Sequence, residues 1–297
     1  MILQETIYID EFHDHVDGVH ILTHWHNDHV KGLVQAFAHP VYCTLLTSIL
    51  LKQKFPRVRT ICIEPGTYIS GLRIKILVLD ANHLPGSIML YLPGSKTLYT
   101  GDYRLSVSML QALVPFRGLI HDLYVDGTYH SPDVCMLSQK QSVALFEKFL
   151  RRKTEQNRRL VIGLYHVGTC ALLVHAGLKF CLDVSVSSSV RCAAETLYGP
   201  WLVSQYAPGV AILVHPKKYV RHCLDTVVIP CSLWFNCRGH HQYVREMTMD
   251  VVGQWRLNYT CHSDYYDNLY LQRFLGCRVM IPLNESRVSL ACAGPSV

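Results

Sequence analysis

The stretch Thr23-His24-Trp25-His26-Asn27-Asp28-His29 carries three imidazoles and a carboxylate directly after the apolar run Val19-His20-Ile21-Leu22. Imidazole nitrogen and carboxylate oxygen are the ligands that borderline cations such as zinc take, and catalytic zinc keeps one position open for water. In an extended segment His24 and His26 project the same way, because side chains alternate along a strand. Asp28 and His29 come about one turn later and reach a second point nearby. That supply exceeds what one catalytic ion needs, so the spacing predicts two metals. The alternative is a polar loop rich in histidine by chance.

Other apolar runs end in the same residue types. Leu77-Val78-Leu79 leads to Asp80-Ala81-Asn82-His83 and then Pro85-Gly86. Leu98-Tyr99-Thr100 leads to Gly101-Asp102-Tyr103-Arg104. The run from Leu119 to Val125 leads to Asp126-Gly127-Thr128-Tyr129-His130-Ser131-Pro132, and Cys261-His262-Ser263-Asp264 comes late in the chain. A layered α/β fold builds its sites in this way, at one edge of its sheets. Alone, His83 would more often be a structural histidine; beside the first motif it is a ligand candidate.

The elements that position these groups follow from periodicity. Glu5 to Asp10 alternates and is β-branched, so it reads as a strand ending on Asp10. Asp14 to Gly18 reads as a turn, Val30 to Leu33 as the opening of a short helix, and Leu45 to Lys54 as a helix closed by Pro56. Strands are predicted over Thr60 to Glu64, Leu72 to Asp80, Ser87 to Leu92 and Thr97 to Thr100. Ser138 is a candidate N-cap for a helix with Val143, Phe146, Phe149 and Leu150 on one face. The basic runs Arg151-Arg152-Lys153 and Arg158-Arg159 read as a solvated face. Strand-helix alternation is expected from Leu160 to about Ile229, then a helix from Tyr265 to Leu275 and a strand from Arg278 to Ile281.

Composition sets the limits. A chain of 297 residues, 49% hydrophobic and 17% charged, is a globular protein of one large or two ordinary domains. No apolar run reaches the roughly 18 residues of a membrane span. Met1-Ile2-Leu3-Gln4-Glu5 lacks the basic start of a signal peptide, so no targeting segment is expected ahead of the fold. A net charge of +6 suits an anionic partner. Twelve cysteines in such a chain are expected to be reduced thiols. Cys231, Cys237, His240 and His241 form a candidate second metal cluster, although their spacing matches no common zinc template.

The H-x-H-x-D-H motif at His24 to His29 resembles the signature of the metallo-β-lactamase superfamily. The series Asp10, His24/His26/Asp28/His29, His83, Asp102 is similar to the first four motifs of its β-CASP nucleases. Asp80-Ala81-Asn82-His83-Leu84-Pro85-Gly86-Ser87 and Tyr99-Thr100-Gly101-Asp102-Tyr103-Arg104 resemble the DNA cross-link-repair group that includes Artemis and Apollo. Asp28 to Leu33 and Ile229 to Phe235 lean toward Artemis. The resemblance implies an α/β fold, an αββα metallo-β-lactamase sandwich. Residues 1–132 and 258–297 would build it, with a β-CASP insert over 133–257.

The same resemblance implies a site. One metal takes His24, His26, His83 and Asp102; the second takes Asp28, His29 and the bridging Asp102. Both are expected to be zinc, and the second position also admits Mg2+ or Mn2+. Asp126 would lie beside the second metal, Asp10 would orient a ligand histidine or its loop, and His262 would contact the scissile phosphate or protonate the leaving group. Asp28, Asp102, Asp126 and His262 then carry the catalysis of phosphodiester hydrolysis. RNA-processing relatives place a further histidine on the final strand, where this chain has Ile281-Pro282-Leu283-Asn284, which points to DNA. Exonucleolytic relatives hold a 5′-phosphate with a Ser and a Lys at the start of the insert. Here His166 stands for the Ser and Thr169 for the Lys, with Gly168 kept between them, so exonuclease and structure-specific endonuclease action both stay open.

The expected partner is DNA with single-stranded, overhang or hairpin ends, the expected state a monomer and the expected compartment the nucleus. A β-CASP RNA endonuclease and a weakly active nucleic-acid-binding relative are the competing readings.

Overall fold

The structure is a computed structural model of the chain. It describes residues 5–14, 16–155, 160–164, 184–186, 196, 212–216, 226–230, 248–249, 255–257, 259–283 and 288–292, with side chains over 6–14, 16–152, 196 and 259–283. The chain divides into two compact units, one of residues 1–132 and 262–297 and the other of 133–261.

The first unit holds two five-stranded sheets. One runs in the order β16-β1-β2-β3-β4, from β1 (Glu5–Ile9), β2 (Val19–Ile21), β3 (Val41–Cys43), β4 (Thr60–Cys62) and β16 (Val288–Cys292). The other runs β15-β8-β7-β6-β5, from β5 (Leu77–Asp80), β6 (Ile88–Leu92), β7 (Thr97–Tyr99), β8 (Asp122–Asp126) and β15 (Val279–Leu283). Mixed parallel and antiparallel pairing with helices outside places the unit in the α/β class.

Side-chain alternation explains why the strands are apolar on both faces. In β6, Ile88, Leu90 and Leu92 pack with Ile7, Ile9 and Ile21 of the first sheet. Met89 and Tyr91 point the other way, onto Met109 and Leu113 of α2 (Val107–Leu113) and Leu271 and Leu275 of α4 (Tyr265–Leu275). The outer face of the first sheet, with Leu22, Val41 and Cys43, packs on Leu51 of α1 (Leu45–Lys54) and on Phe55 just beyond it. The order is helix, sheet, sheet, helix, and all five residues of β6 are buried.

Pairing also decides which ends meet. β1, β2, β3 and β4 are mutually parallel, so Asp10 and the loop from Thr23 leave the same side. β5 and β7 are each antiparallel to β6, hence parallel to each other, and β7 is parallel to β8. His83, Asp102 and Asp126 therefore emerge at one edge. The two sheets touch there: the backbone N–H of Ile88 donates to Thr23 O at 3.1 Å.

Two local expectations change. Residues after His29 form turns rather than a helix: Leu33 N donates to Val30 O, and Gly32 takes φ +87°. A side chain at Gly32 would meet Phe12 O at 2.6 Å, so packing against Phe12 sets this backbone. The predicted strand from Leu72 is shorter, because Ile69 N donates to Ile76 O and the chain between them is the tip of a hairpin. Helix α2 was not foreseen; Ser106 caps it by accepting from Met109 N.

The second unit contains a six-stranded sheet in the order β10-β11-β9-β12-β14-β13. Its strands are β9 (Leu160–Leu164), β10 (Val184–Val186), β11 (Ile212–Pro216), β12 (Thr226–Pro230), β13 (Thr248–Met249) and β14 (Trp255–Leu257). Helix α3 (Gln139–Glu155) precedes it, with Ser138 Oγ accepting from Gln141 N. The strands at Leu160–Leu164, Val184–Val186, Ile212–Pro216 and Thr226–Pro230 fall within the expected strand-helix alternation, and the segments between them lie outside the described residues apart from residue 196.

Candidate metal centre

Four side chains from three strand ends converge: His24, His26, His83 and Asp102 bring one ligand atom each to within 4.8 Å of one another. His26 Nδ1 lies 3.0 Å from His24 Nε2 and 3.2 Å from His83 Nε2. Asp102 Oδ2 lies 3.6 Å from His24 Nε2 and 3.7 Å from His83 Nε2. A tetrahedral cation with bonds of about 2.0–2.1 Å spaces its ligand atoms about 3.3–3.4 Å apart. The observed separations scatter around that edge, so the donor set fits a metal ion. Hydrogen bonding alone fits less well, since three imidazole nitrogens facing one another need alternating protons and lone pairs.

The tautomer of His24 can be derived. Thr23 Oγ1 has one hydrogen and donates it to Asp10 Oδ2 at 2.7 Å. The contact between Thr23 Oγ1 and His24 Nδ1, at 3.0 Å, then needs the imidazole to donate. His24 Nδ1 is protonated and Nε2 carries the lone pair, aimed at His26 and Asp102. Burial first, then the neighbouring His29, His26 and His83, hold the His24 pKa well below its ordinary value, so the ring is neutral.

Asp10 serves both sides of the site. It is fully buried at φ +55° just past β1, and its Oδ1 accepts from Thr23 N at 2.7 Å. His29 Nδ1 donates to Asp10 Oδ2 at 2.7 Å. His29 Nε2 is buried without a hydrogen-bond partner, 3.3 Å from Asp102 Oδ2 and 3.7 Å from Asp28 Oδ2. This nitrogen faces two carboxylates at ion-pair distance, and the further group of described residues in this unit that could hold an ion is Asp102, Asp126 and His262. Burial disfavours charge on His29, but Asp102 and Asp10 outweigh it and raise its pKa well above the ordinary value. Asp102, raised by burial, is pulled further the other way by His29 and His262 and sits well below the usual carboxylate range.

Asp126 and His262 form a pair. His262 Nδ1 donates to Asp126 Oδ2 at 2.8 Å, and the same nitrogen is 3.7 Å from Asp102 Oδ2. Burial opposes the charged ring, yet Asp126 and then Asp102 lift the His262 pKa to about 9. The loop is braced from beneath. Arg104 Nη1 donates to His262 O at 2.8 Å and to Asp267 Oδ2 at 2.9 Å. Asn268, fully buried, accepts from Tyr103 Oη at 2.6 Å and donates to Asp126 O at 2.9 Å. Thr23 and Arg104 lie beside quoted motif residues but were given no role in the sequence, and for Asn268 there was one signal. Asn268 sits three residues before Leu271 on the apolar stripe of α4, where a polar residue needs a reason.

Each foreseen site residue in the first unit lies in this assembly, with Asp28 at its exposed rim. His166, Gly168 and Thr169, and the cluster Cys231, Cys237, His240 and His241, lie outside the described residues.

The human DNA cross-link repair 1A protein is 35% identical over 158 residues, covering 50% of this chain and 15% of its own length. The 5′ exonuclease Apollo of Gallus gallus is 35% identical over 174 residues, 57% of this chain and 37% of its own length. The Arabidopsis thaliana DNA cross-link repair protein SNM1 is 33% identical over 184 residues, again 57% and 37%. Its relatives are DNA cross-link repair proteins and 5′ exonucleases. The chain spans well under half the length of these relatives, between 15% and 37%. No family model matches the chain. A crystal structure of a protein of unknown function from Enterococcus faecalis V583 shares the fold. Its TM-score is 0.63 at 15% identity, covering 95% of this chain and 84% of that one.

Proposed function

We propose that the chain is a metal-dependent DNA nuclease of the metallo-β-lactamase/β-CASP kind, hydrolysing phosphodiester bonds in DNA repair or processing. The observation that carries this is the convergence of His24, His26, His83 and Asp102 at tetrahedral spacing, with His29 Nε2 orphaned beside Asp102. His24 Nε2, His26 Nδ1, His83 Nε2 and Asp102 would hold one zinc. His29, Asp28 and Asp102 would hold a second divalent ion, zinc or a harder cation. When bound, such ions supply Lewis acidity toward the phosphoryl group and acidify water.

The chain's own residues supply the rest. Asp10 holds His29 directly and His24 through Thr23, which fixes both rings before any ligand arrives. Asp126 fixes the His262 ring through Nδ1 and favours its protonated form. His262 then offers its Nε2 proton to a phosphate oxygen or to the departing oxygen. The unit of residues 133–261 corresponds to the β-CASP insert on this reading. DNA is favoured over RNA by the names of the relatives and by Ile281-Pro282-Leu283-Asn284, where RNA-processing relatives place a histidine. A nuclear location and a monomeric state go with that assignment. No helix among the described residues is long and apolar enough to cross a membrane.

The test is cleavage of end-labelled single-stranded DNA, with and without a 5′-phosphate, beside a hairpin and a matched RNA, with metal content measured on the same sample. DNA cleavage that stops on chelation supports the reading. A 5′-phosphate-dependent ladder identifies an exonuclease, and internal cuts near the hairpin an endonuclease. A fully metallated protein that cuts no DNA overturns it.

A further inference from the structure

Charge is distributed very unevenly along the chain. From Met1 to Asp28 there are six carboxylates (Glu5, Asp10, Glu11, Asp14, Asp17, Asp28) and no Lys or Arg. From His29 to Ile63 there are five Lys or Arg (Lys31, Lys52, Lys54, Arg57, Arg59) and no carboxylate. That stretch alone is +5 in a chain of net +6.

The fold exposes these cations at and after the end of α1, with Lys54 against the metal loop. Lys52, Lys54 and Arg57 are all exposed, in the last turn of α1 and the turn that follows it. Lys54 Nζ donates to the side chain of Asn27 at 3.3 Å, and Asn27 lies between His26 and Asp28. Gln35 Nε2 donates to Lys54 O at 2.6 Å, which ties the end of α1 to the segment just after that loop. Among the described residues none of these three cations forms an ion pair. Arg59 belongs elsewhere: it donates to Ala38 O, while Ala38 N donates to Asp14 Oδ1, so a carboxylate lies close to it.

Lys52 and Lys54 could be present only to complement the C-terminal end of the α1 dipole. That explanation does not reach Arg57, which lies beyond the helix, and it does not require Lys54 to contact Asn27. We propose that Lys52, Lys54 and Arg57 form a phosphate-binding strip for single-stranded DNA, continuing from the metal loop along the end of α1. The inference rests on the nuclease reading and extends it to the strand beyond the reacting phosphate. Flexible cations without acidic partners suit backbone phosphates and carry no base preference, so the strip would hold strands irrespective of sequence.

The experiment is fluorescence anisotropy of the metal-loaded protein with a labelled 20-nucleotide single strand whose phosphorothioate linkages resist hydrolysis, titrated across salt. The variants are Lys52→Gln/Lys54→Gln/Arg57→Gln and the charge-keeping Lys52→Arg/Lys54→Arg/Arg57→Lys. Each single-strand phosphate contact contributes a slope of about −0.7 in log K against log salt. The glutamine variant is expected to lose about 2 from that slope and about 100-fold in affinity at 0.1 M salt. The charge-keeping variant is expected to bind as the wild type does, with both variants showing unchanged thermal unfolding. A glutamine variant with the wild-type slope and affinity overturns the strip, whether or not the protein cleaves DNA. Salt-sensitive binding lost in the glutamine variant of a protein that cuts no DNA would retain the strip and discard the nuclease.

Discussion

His29 Nδ1 donates to Asp10 Oδ2 at 2.7 Å, and both groups are buried at the join of the two sheets. The same carboxylate oxygen receives Thr23 Oγ1, whose own oxygen receives His24 Nδ1–H. One aspartate thus sets the orientation of two histidines that the proposed function assigns to two different cation positions. Replacing it tests that coupling without touching a direct ligand.

Asp10→Asn is the informative change, because asparagine tolerates the left-handed backbone at φ +55°. The amide cannot accept all three donors at the carboxylate. Metal affinity is expected to fall about 10–100-fold, the range for partners behind metal ligands. Competition with a chromophoric chelator measures it. Wild-type affinity at both positions would remove Asp10 from this role.

His262→Gln keeps a hydrogen-bonding side chain but loses the titratable ring. If His262 supplies a proton, kcat falls about 10²–10⁴-fold while metal content is retained. Steady-state kinetics with metal analysis on the same preparation checks both. Loss of metal together with activity would make His262 a ligand instead.

The metal-free protein should show a pH dependence of known sign. His262 has a folded pKa of about 9 against an ordinary 6.5, raised by Asp126 and Asp102 against the effect of burial. A raised histidine contributes stability that is fully present below about 6.5 and is lost as pH rises through about 9. The Tm of the metal-free protein is therefore expected to fall between those values, and to fall less in His262→Gln. Differential scanning calorimetry across that window decides it; equal slopes in the two proteins would contradict the pairing.

Asn268→Ala removes the acceptor for Tyr103 Oη and the donor to Asp126 O and His130 Nδ1. Buried partners left unsatisfied cost about 1–3 kcal/mol each when they cannot reach water. A loss of about 2–4 kcal/mol in denaturant unfolding is expected. A change under about 0.5 kcal/mol would mean water replaces the amide.

Much of this was legible in the sequence because the clustered histidines and aspartates sit at strand ends. Strand ends can be read locally, as the apolar runs before His24, His83 and Asp102 show. The helix at Leu45, the capped helix after Ser138 and the amphipathic helix at Tyr265 could be read for the same reason. What escaped depends on contacts between distant segments. Tyr103 and Asn268 are 165 residues apart, Arg104 and His262 are 158 apart, and no local pattern joins them. The turn at Gly32 was misread as a helix because its backbone is set by Phe12, on another element. The direction of the Asp10-Thr23-His24 relay follows only from counting hydrogens on a placed hydroxyl.

The most direct measurement is cleavage of end-labelled single-stranded DNA by the metal-loaded wild type and by Asp102→Ala, with thermal unfolding of both. Asp102 Oδ2, which would be common to both proposed cation positions, lies 3.6 Å from His24 Nε2 and 3.3 Å from His29 Nε2. The wild type is expected to cut, and the variant to lose cleavage while remaining folded. A folded variant that cuts at the wild-type rate would contradict the account, as would a fully metallated wild type that cuts nothing.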